Sequence, residues 1–314
     1  MASKVAQRRS IVKLSPFRRQ TQRISSCMRL WKLTIAALTL GATLVTAGAQ
    51  QAPAPHGYLG FDANNYPGDD LLPALRKQFA FTGYWLTNPP LTKSNPWIGK
   101  RDILLRNGFG FLVLADGRWD KQILRAQKAG KSPAALARED AAVAVAAARR
   151  EGFPPQTIIF LDQEEGGRML PEQAEYLLGW TEGVARANYR PGVYASAHPV
   201  SEGKGPDGKP VSITTIQDIR EHVAAQHLHP IAFWAIEDSC PPAPGCVVNT
   251  AHPPSPNVSG ILDADAWQYA QSPRTDFAKA CRATYKADAC YAPGIPSYHL
   301  DLDAATSPDP SHGR

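Results

Sequence analysis

The stretch Thr157-Ile-Ile-Phe-Leu-Asp162-Gln-Glu164-Glu165-Gly166-Gly167-Arg168 holds the fold in miniature. Thr157–Leu161 is a β-branched and apolar run of strand length, and it ends in acids and a Gly-Gly turn. Pro171–Ala187 follows, with Ala174, Leu177, Leu178 and Val184 on one helical face. The unit is strand, turn, helix.

The same alternation runs outward in both directions. Gly57–Ala63, Ala80–Leu86, Phe109–Ala115, Gly192–Ser196, Ile231–Ile236, Ala264–Tyr269 and Ser297–Leu302 read as further strands. Asp70–Gln78, Lys100–Asn107, the Ala-rich Pro133–Arg150 and Thr214–Gln226 read as helices, the third with Pro at its start and Gly152 just past its end. Eight strands interleaved with helices predict an α/β chain with a parallel sheet. Residues 50–314 number 265, which suits a closed (β/α)₈ barrel of roughly 250 residues. No Gly-rich phosphate turn follows the first strand, which argues against an open dinucleotide-binding sheet. We therefore expect one TIM-type barrel over residues 57–304, irregular in its last two units, where the connections read as loops. Residues 50–56 read as a Pro/Ala spacer. Residues 305–314, with Ser-Pro-Asp-Pro-Ser, read as a disordered tail.

The 314-residue chain has 34 Lys+Arg against 28 Asp+Glu, a net +6. Nine of those basic residues, and no acidic one, lie in residues 1–49. Without that segment 25 basic residues face 28 acidic ones, a net −3, which excludes a generally basic domain that reads nucleic-acid phosphates. The segment itself runs Arg29-Leu-Trp-Lys32, then apolar Leu33–Ala47, then Ala47-Gly48-Ala49, the parts of a secretion signal. Its apolar run is shorter than the ~20 residues a bilayer span needs. We expect cleavage and export to the periplasm or exterior with no stable span afterwards; an uncleaved anchor is the competing reading. Met28 is an alternative start. Four cysteines then remain, Cys240, Cys246, Cys281 and Cys290, with three pairings open. The pairs Cys240–Cys246 and Cys281–Cys290 would each clip a short loop. A zinc site is the competing reading, but no CxxC spacing occurs.

Acids gather where the expected strands stop. Asp162 and Glu164 are two apart and so point the same way, whereas Glu165 does not. Asp62 closes the first strand, and Tyr298-His-Leu-Asp301-Leu-Asp303 closes the last. Barrel enzymes place their chemistry on the C-terminal rim. Acids held close raise one another's pKa, so one keeps its proton while a neighbour stays ionised. Cleaving a glycosidic bond needs that combination, because the leaving oxygen must receive a proton as positive charge builds on the sugar. The plainer alternative is that these acids cap helices or pair with Arg and Lys. Aromatic faces suit pyranose rings, and among Tyr84, Trp85, Trp97, Tyr194, Trp234, Trp267 and Tyr269 the reading favours Trp267 and Tyr84 as sugar contacts. The histidines form no nucleophile triad and no HExxH pattern.

Gly60-Phe-Asp62, Phe160-Leu-Asp162-Gln-Glu164, Pro191-Gly-Val-Tyr194-Ala-Ser196, Trp267-Gln-Tyr269 and Leu300-Asp301-Leu-Asp303 occur in this order. Together they resemble family-25 glycoside hydrolases, the lysozyme-type muramidases, and their uncharacterised glycoside-hydrolase-like relatives on the same barrel. Phe79–Pro90 and Glu164-Glu165-Gly-Gly-Arg168 look closer to the relatives. The resemblance implies Glu164 as general acid, with Asp162 assisting by positioning the substrate's own N-acetyl group. It implies Asp62 and Asp301 in the same cleft. Tyr84, Tyr194, Trp267, Gln268, Tyr269 and Asp303 would contact the glycan. Asp303 stands where the lysozymes usually have Asn. The expected function is an exported hydrolase of an amino-sugar polymer, peptidoglycan foremost, monomeric and without metal or organic cofactor. The alternative from another class is a weak or inactive barrel that binds cell-wall or surface glycans. A phosphodiesterase on the same barrel lacks a metal-binding His pattern, and the longer DxxDxDxE signature of family-18 chitinases is absent.

Overall fold

The computed structural model describes residues 57–238, 253–271, 298 and 300–314, all within one compact unit, Ala52–Arg314. The expected signal segment, the spacer and the four cysteines lie outside the described residues. Eight strands close a barrel: β1 (Tyr58–Asp62), β2 (Phe81–Trp85), β3 (Gly110–Asp116), β4 (Ile158–Gln163), β5 (Arg190–Ser196), β8 (Ala232–Ile236), β9 (Ala266–Gln271) and β10 (Asp301–Ala305). Two more, β6 (Val200–Lys204) and β7 (Pro210–Ile213), form an exposed antiparallel hairpin that follows β5 on the rim. The sequence reading had not marked this hairpin. Helices α1 (Leu72–Arg76), α2 (Arg101–Arg106), α3 (Asp120–Lys128), α4 (Pro133–Arg150), α5 (Pro171–Arg186) and α6 (Thr215–Gln226) complete the described regular structure, apart from two short 3₁₀ turns.

Local chemistry explains the main helices. Ser132 caps α4 by accepting from the Ala135 amide, and Pro133 occupies the first turn, where no amide is needed. Thr214 and Gln217 exchange reciprocal bonds at the start of α6, a capping box. The Ala-rich character of α4 has a packing reason. A side chain at Gly183 would place its Cβ 2.8 Å from that of Ala141, and one at Gly179 would lie 3.1 Å from that of Ala137. Small residues on both helices let α4 and α5 lie close against each other.

The irregularity expected near the end takes a definite form. Strands β1–β5, β8 and β9 run parallel, but β10 is antiparallel to both β1 and β9, and it closes the barrel between them. Asp301 therefore opens a strand, where the sequence reading had it close Ser297–Leu302. A reversed strand starts where its neighbours end, so Asp301 still reaches the rim, directly opposite Asp62.

The tail expectation is overturned. Residues 306–314 wedge beneath the barrel, where the starts of β3 and β4 diverge. Asp309 Oδ1 accepts from the Phe111 amide at 2.9 Å, and Ser311 Oγ accepts from the Val113 amide at 2.8 Å. The Ser311 amide donates to the Phe111 carbonyl, and the Ile158 amide donates to the Ser311 carbonyl. Ser311 is fully buried. Polar, Pro-rich composition resembles a disordered tail, yet here the polar groups satisfy strand amides that lack a neighbouring strand. Deleting residues 306–314 should leave a barrel that melts earlier, by roughly 2–5 kcal/mol for about four lost backbone partners. Thermal denaturation by circular dichroism measures this, and an unchanged melting temperature would refute the wedge's role.

Candidate active site

Strand alternation sorts the side chains between the barrel interior and the surrounding layer. A Cβ at Gly60 would run into the Phe81 ring, and one at Gly83 would lie 2.7 Å from the Asp62 Cβ. Asp62, Phe81 and Gly83 thus share the interior, and the missing side chain at Gly83 makes room for Asp62. On β4 the interior set continues through Phe160 to Asp162, and the next interior position is Glu164, just past the strand end.

A hydrogen-bonded floor crosses the interior below the rim. Tyr194 OH donates to Gln268 Oε1 at 2.9 Å, and Gln268 Nε2 donates to Asp62 Oδ2 at 3.0 Å. Asp62 also pairs with Asp303, which accepts from Trp234 Nε1 at 3.0 Å. The Trp234 ring packs 4.6 Å from that of Tyr194. Asp303 is fully buried, and its Oδ2 has no donor among the described residues. Two carboxyls bond to each other only when one holds a proton. Burial, then the charges of Asp62 and Asp301, raise Asp303 well above the usual range, so Asp303 keeps the proton and donates it to Asp62. Burial likewise pushes Asp62 up to about 6, against the lowering effect of its bonds to Gln268 and Asp303.

Above this floor lie the acids of the rim. Asp162 is buried, and its Oδ1 has no hydrogen-bond donor among the described residues. Burial first, then the charges of Glu164, Asp116 and Asp62, raise its pKa well above the ordinary carboxylate range. Glu164 is exposed. Its charge acts on Asp62, Asp116, Asp162 and Tyr194, which places it over the whole cluster. Glu165 points elsewhere: it accepts from the Asp120 amide at the start of α3 and from the Gln173 side chain. The loop beneath is pinned to α6. Buried Asp218 accepts from the Met169 amide at 2.8 Å and from Arg168 at 2.6 Å, and Thr215 Oγ1 donates to the Gly167 carbonyl at 2.9 Å.

The structure thus brings together Asp62, Asp162, Glu164 and Asp301 at the rim, with Tyr194, Gln268 and Asp303 in the floor. Tyr194, Gln268 and Asp303 are buried there, in positions that hold the acids from below. Tyr84, Trp267 and Tyr269 are not part of the cluster. Tyr84 packs outside the barrel against Trp97, Phe111 and Phe153, and its hydroxyl donates to Glu151 at 2.6 Å. Trp267 lies on the face of β9 opposite Gln268 and donates to the Glu237 carbonyl. Tyr269 is the residue the β9–β10 register skips, a bulge, and its hydroxyl is buried. Asp116 was missed. It ends β3 on the interior face, in register with Asp162, and burial lifts it to about 6. The signal for it was present: the expected strand Phe109–Ala115 stopped one residue short of another strand-end acid.

Raised carboxyl pKa values link stability to pH. Near pH 5 the unfolded chain has already released the proton that folded Asp62 still holds. Stability therefore falls as pH rises from about 4 through about 6, by an order of 3 kcal/mol for this group, and stays lower above. The melting temperature of Asp62→Asn relative to the unsubstituted chain should shift upward between pH 4 and pH 8. A constant difference across that range would contradict the buried, proton-holding state.

Residues 99–243 match the family model described as Rv2525c-like, glycoside hydrolase-like domain. No curated protein sequence matches the chain. Among solved structures, an uncharacterized B. stearothermophilus protein aligns at 19% identity over 79% of this chain and 96% of its own, with a TM-score of 0.45. The Mycobacterium tuberculosis Tat-secreted protein Rv2525c, in complex with L-tartrate, aligns at 13% identity over 81% of this chain and 97% of its own, with a TM-score of 0.44. A family 25 glycosyl hydrolase from Bacillus anthracis aligns at 12% identity over 80% of this chain and 90% of its own, with a TM-score of 0.41. Over residues 99–243 the chain is thus matched to the Rv2525c-like, glycoside hydrolase-like domain family, the relatives toward which Glu164-Glu165-Gly-Gly-Arg168 leaned.

Proposed function

We propose that the chain is an exported glycoside hydrolase acting on an amino-sugar polymer of the peptidoglycan type. The observation that supports it best is the vertical pair of acids: exposed Glu164 above buried Asp162, whose Oδ1 has no donor among the described residues. An acetamido N–H from the sugar supplies the donor that this oxygen lacks. The docked acetamido oxygen then faces the anomeric carbon. Glu164 gives its proton to the leaving oxygen as the C1–O bond breaks, and the acetamido oxygen bonds to C1. Water opens this intermediate, returning a proton to Glu164 and the configuration to that of the substrate. Asp62 and Asp301, on the opposite side of the mouth, offset the positive charge that builds on the ring. Export rests on the signal-like residues 29–49, and the net −3 of the remaining chain means that affinity comes from shape and hydrogen bonds, with no basic patch required.

Incubating the purified chain with peptidoglycan and measuring new reducing ends tests the reading. Glu164→Gln should lower turnover by about 10²–10⁴-fold, the usual contribution of a general acid. Glu165→Gln should mainly loosen the start of α3 and leave turnover within a few-fold. No release by the unsubstituted chain between pH 4 and 8, with glycan binding retained, would make the protein a glycan binder and refute the hydrolase.

A further inference from the structure

Beside the acids, on the β2–β3 side of the rim, the structure holds a cavity of about 120 Å³ lined by Leu91, Asp116, Gly117, Trp119, Lys121 and Gln122, among others. Its volume equals that of about four liquid waters, enough for an acetamido or hydroxymethyl arm but not for a whole pyranose. It adjoins the cluster closely. Gly117 passes so near the Asp162 carbonyl that any side chain there would strike it, and Asp116 is in register with Asp162.

The walls are built in a way that folding alone does not reward. Leu91 is 91% exposed and has φ of 62°, a left-handed conformation costly for a residue with a branched side chain. The turn that imposes it is fastened: both the amide and the hydroxyl of Thr92 donate to the Pro89 carbonyl. Asn95 donates to the carbonyls of Trp85 and Thr87, and Thr87 Oγ1 accepts from the Asp116 amide. A strained, solvent-facing leucine is thus held rigidly against the end of β3. Across the cavity, partly exposed Trp119 is fixed by its amide donating to Gln122 Oε1 at 2.8 Å, and by Lys121, whose ammonium lies 4.2 Å from the centre of the indole ring. Lys121 and Trp119 thus line the cavity together, an ammonium beside an indole.

We infer that this cavity is a sugar subsite adjoining the acids, in which an N-acetylhexosamine ring rests on Trp119 and Leu91 and its polar arm enters toward Asp116 and Lys121. The apolar face of a pyranose suits the indole and leucine, while the carboxyl and the ammonium accept from and donate to the arm. The subsite rests on the glycan reading above and deepens it by naming where the neighbouring sugar sits.

Binding of the N-acetylglucosamine tetramer, measured by calorimetry in a Glu164→Gln background that prevents turnover, tests it. Adding Trp119→Ala should weaken binding about tenfold, the scale of one aromatic contact. Adding Leu91→Gly, which relieves the backbone strain, should weaken binding about threefold while the melting temperature holds or rises. Unchanged affinity in the Trp119→Ala variant, or no tetramer binding by the Glu164→Gln chain, would overturn the subsite. Failure of the hydrolase reading is visible separately, as tetramer binding that depends on Trp119 without any release of reducing ends by the unsubstituted chain.

Discussion

The hydrogen-bonded line from Tyr194 through Gln268, Asp62 and Asp303 to Trp234 joins five strands, β5, β9, β1, β10 and β8, across the barrel interior. It lies where the reversed strand β10 closes the sheet between β1 and β9. Two carboxyls in so dry a place would repel and forfeit hydration if both were charged. One shared proton removes that conflict and turns repulsion into a bond. The seam of the barrel and the protonation state of its acids are therefore one problem with one solution. An apolar pair at positions 62 and 303 would close the barrel as well, but it would leave Gln268 Nε2 and Trp234 Nε1 without their acceptors.

That floor has consequences for the acids above it. Because Asp62 is tied down by Gln268 and Asp303, its charge sits at a fixed place across the mouth from Asp162 and Glu164. Asp162, in turn, is held neutral by its own burial and by the charges around it. The loop bearing Glu164 does not depend on the floor: Asp218 and Thr215 on α6 fix it, and Glu165 fastens it to the starts of α3 and α5. Preorganisation of this sort is what electrostatic catalysis requires, since a group that must move into place loses the advantage of low dielectric. Arg168 extends the anchorage to the β6–β7 hairpin through Glu202.

Much of the fold was legible because strands and helices alternate with clear boundaries. Pro133–Arg150 was read to the residue, since Pro133 and Gly152 mark its ends chemically. The rim acids were legible only as a set: one Asp after an apolar run often caps a helix or pairs with a cation, but acids at several strand ends of one barrel share a mouth. The aromatic residues were not. In a barrel both faces of a strand are buried, one in the interior and one under helices, so an apolar run does not show which way Tyr84 or Trp267 points. Tyr269 adds a bulge that no local pattern announces. The tail defeated composition outright, because Ser311 and Asp309 serve strand amides far away in sequence. Trp119 and Leu91 escaped notice for the opposite reason. Their significance lies in exposure and backbone conformation, which the sequence does not carry.

The claim on which the electrostatics of the rim hang is that Asp162 keeps its proton beneath Glu164. A carboxyl carbon-13 titration of the intact chain, with the Asp162 signal assigned by comparison with Asp162→Asn, measures this directly. The signal should remain that of the protonated acid well above the ordinary aspartate midpoint of about 3.9, and it should move down when Glu164 is replaced by Gln. A midpoint near 3.9, unmoved by the loss of Glu164, would contradict the buried acid pair.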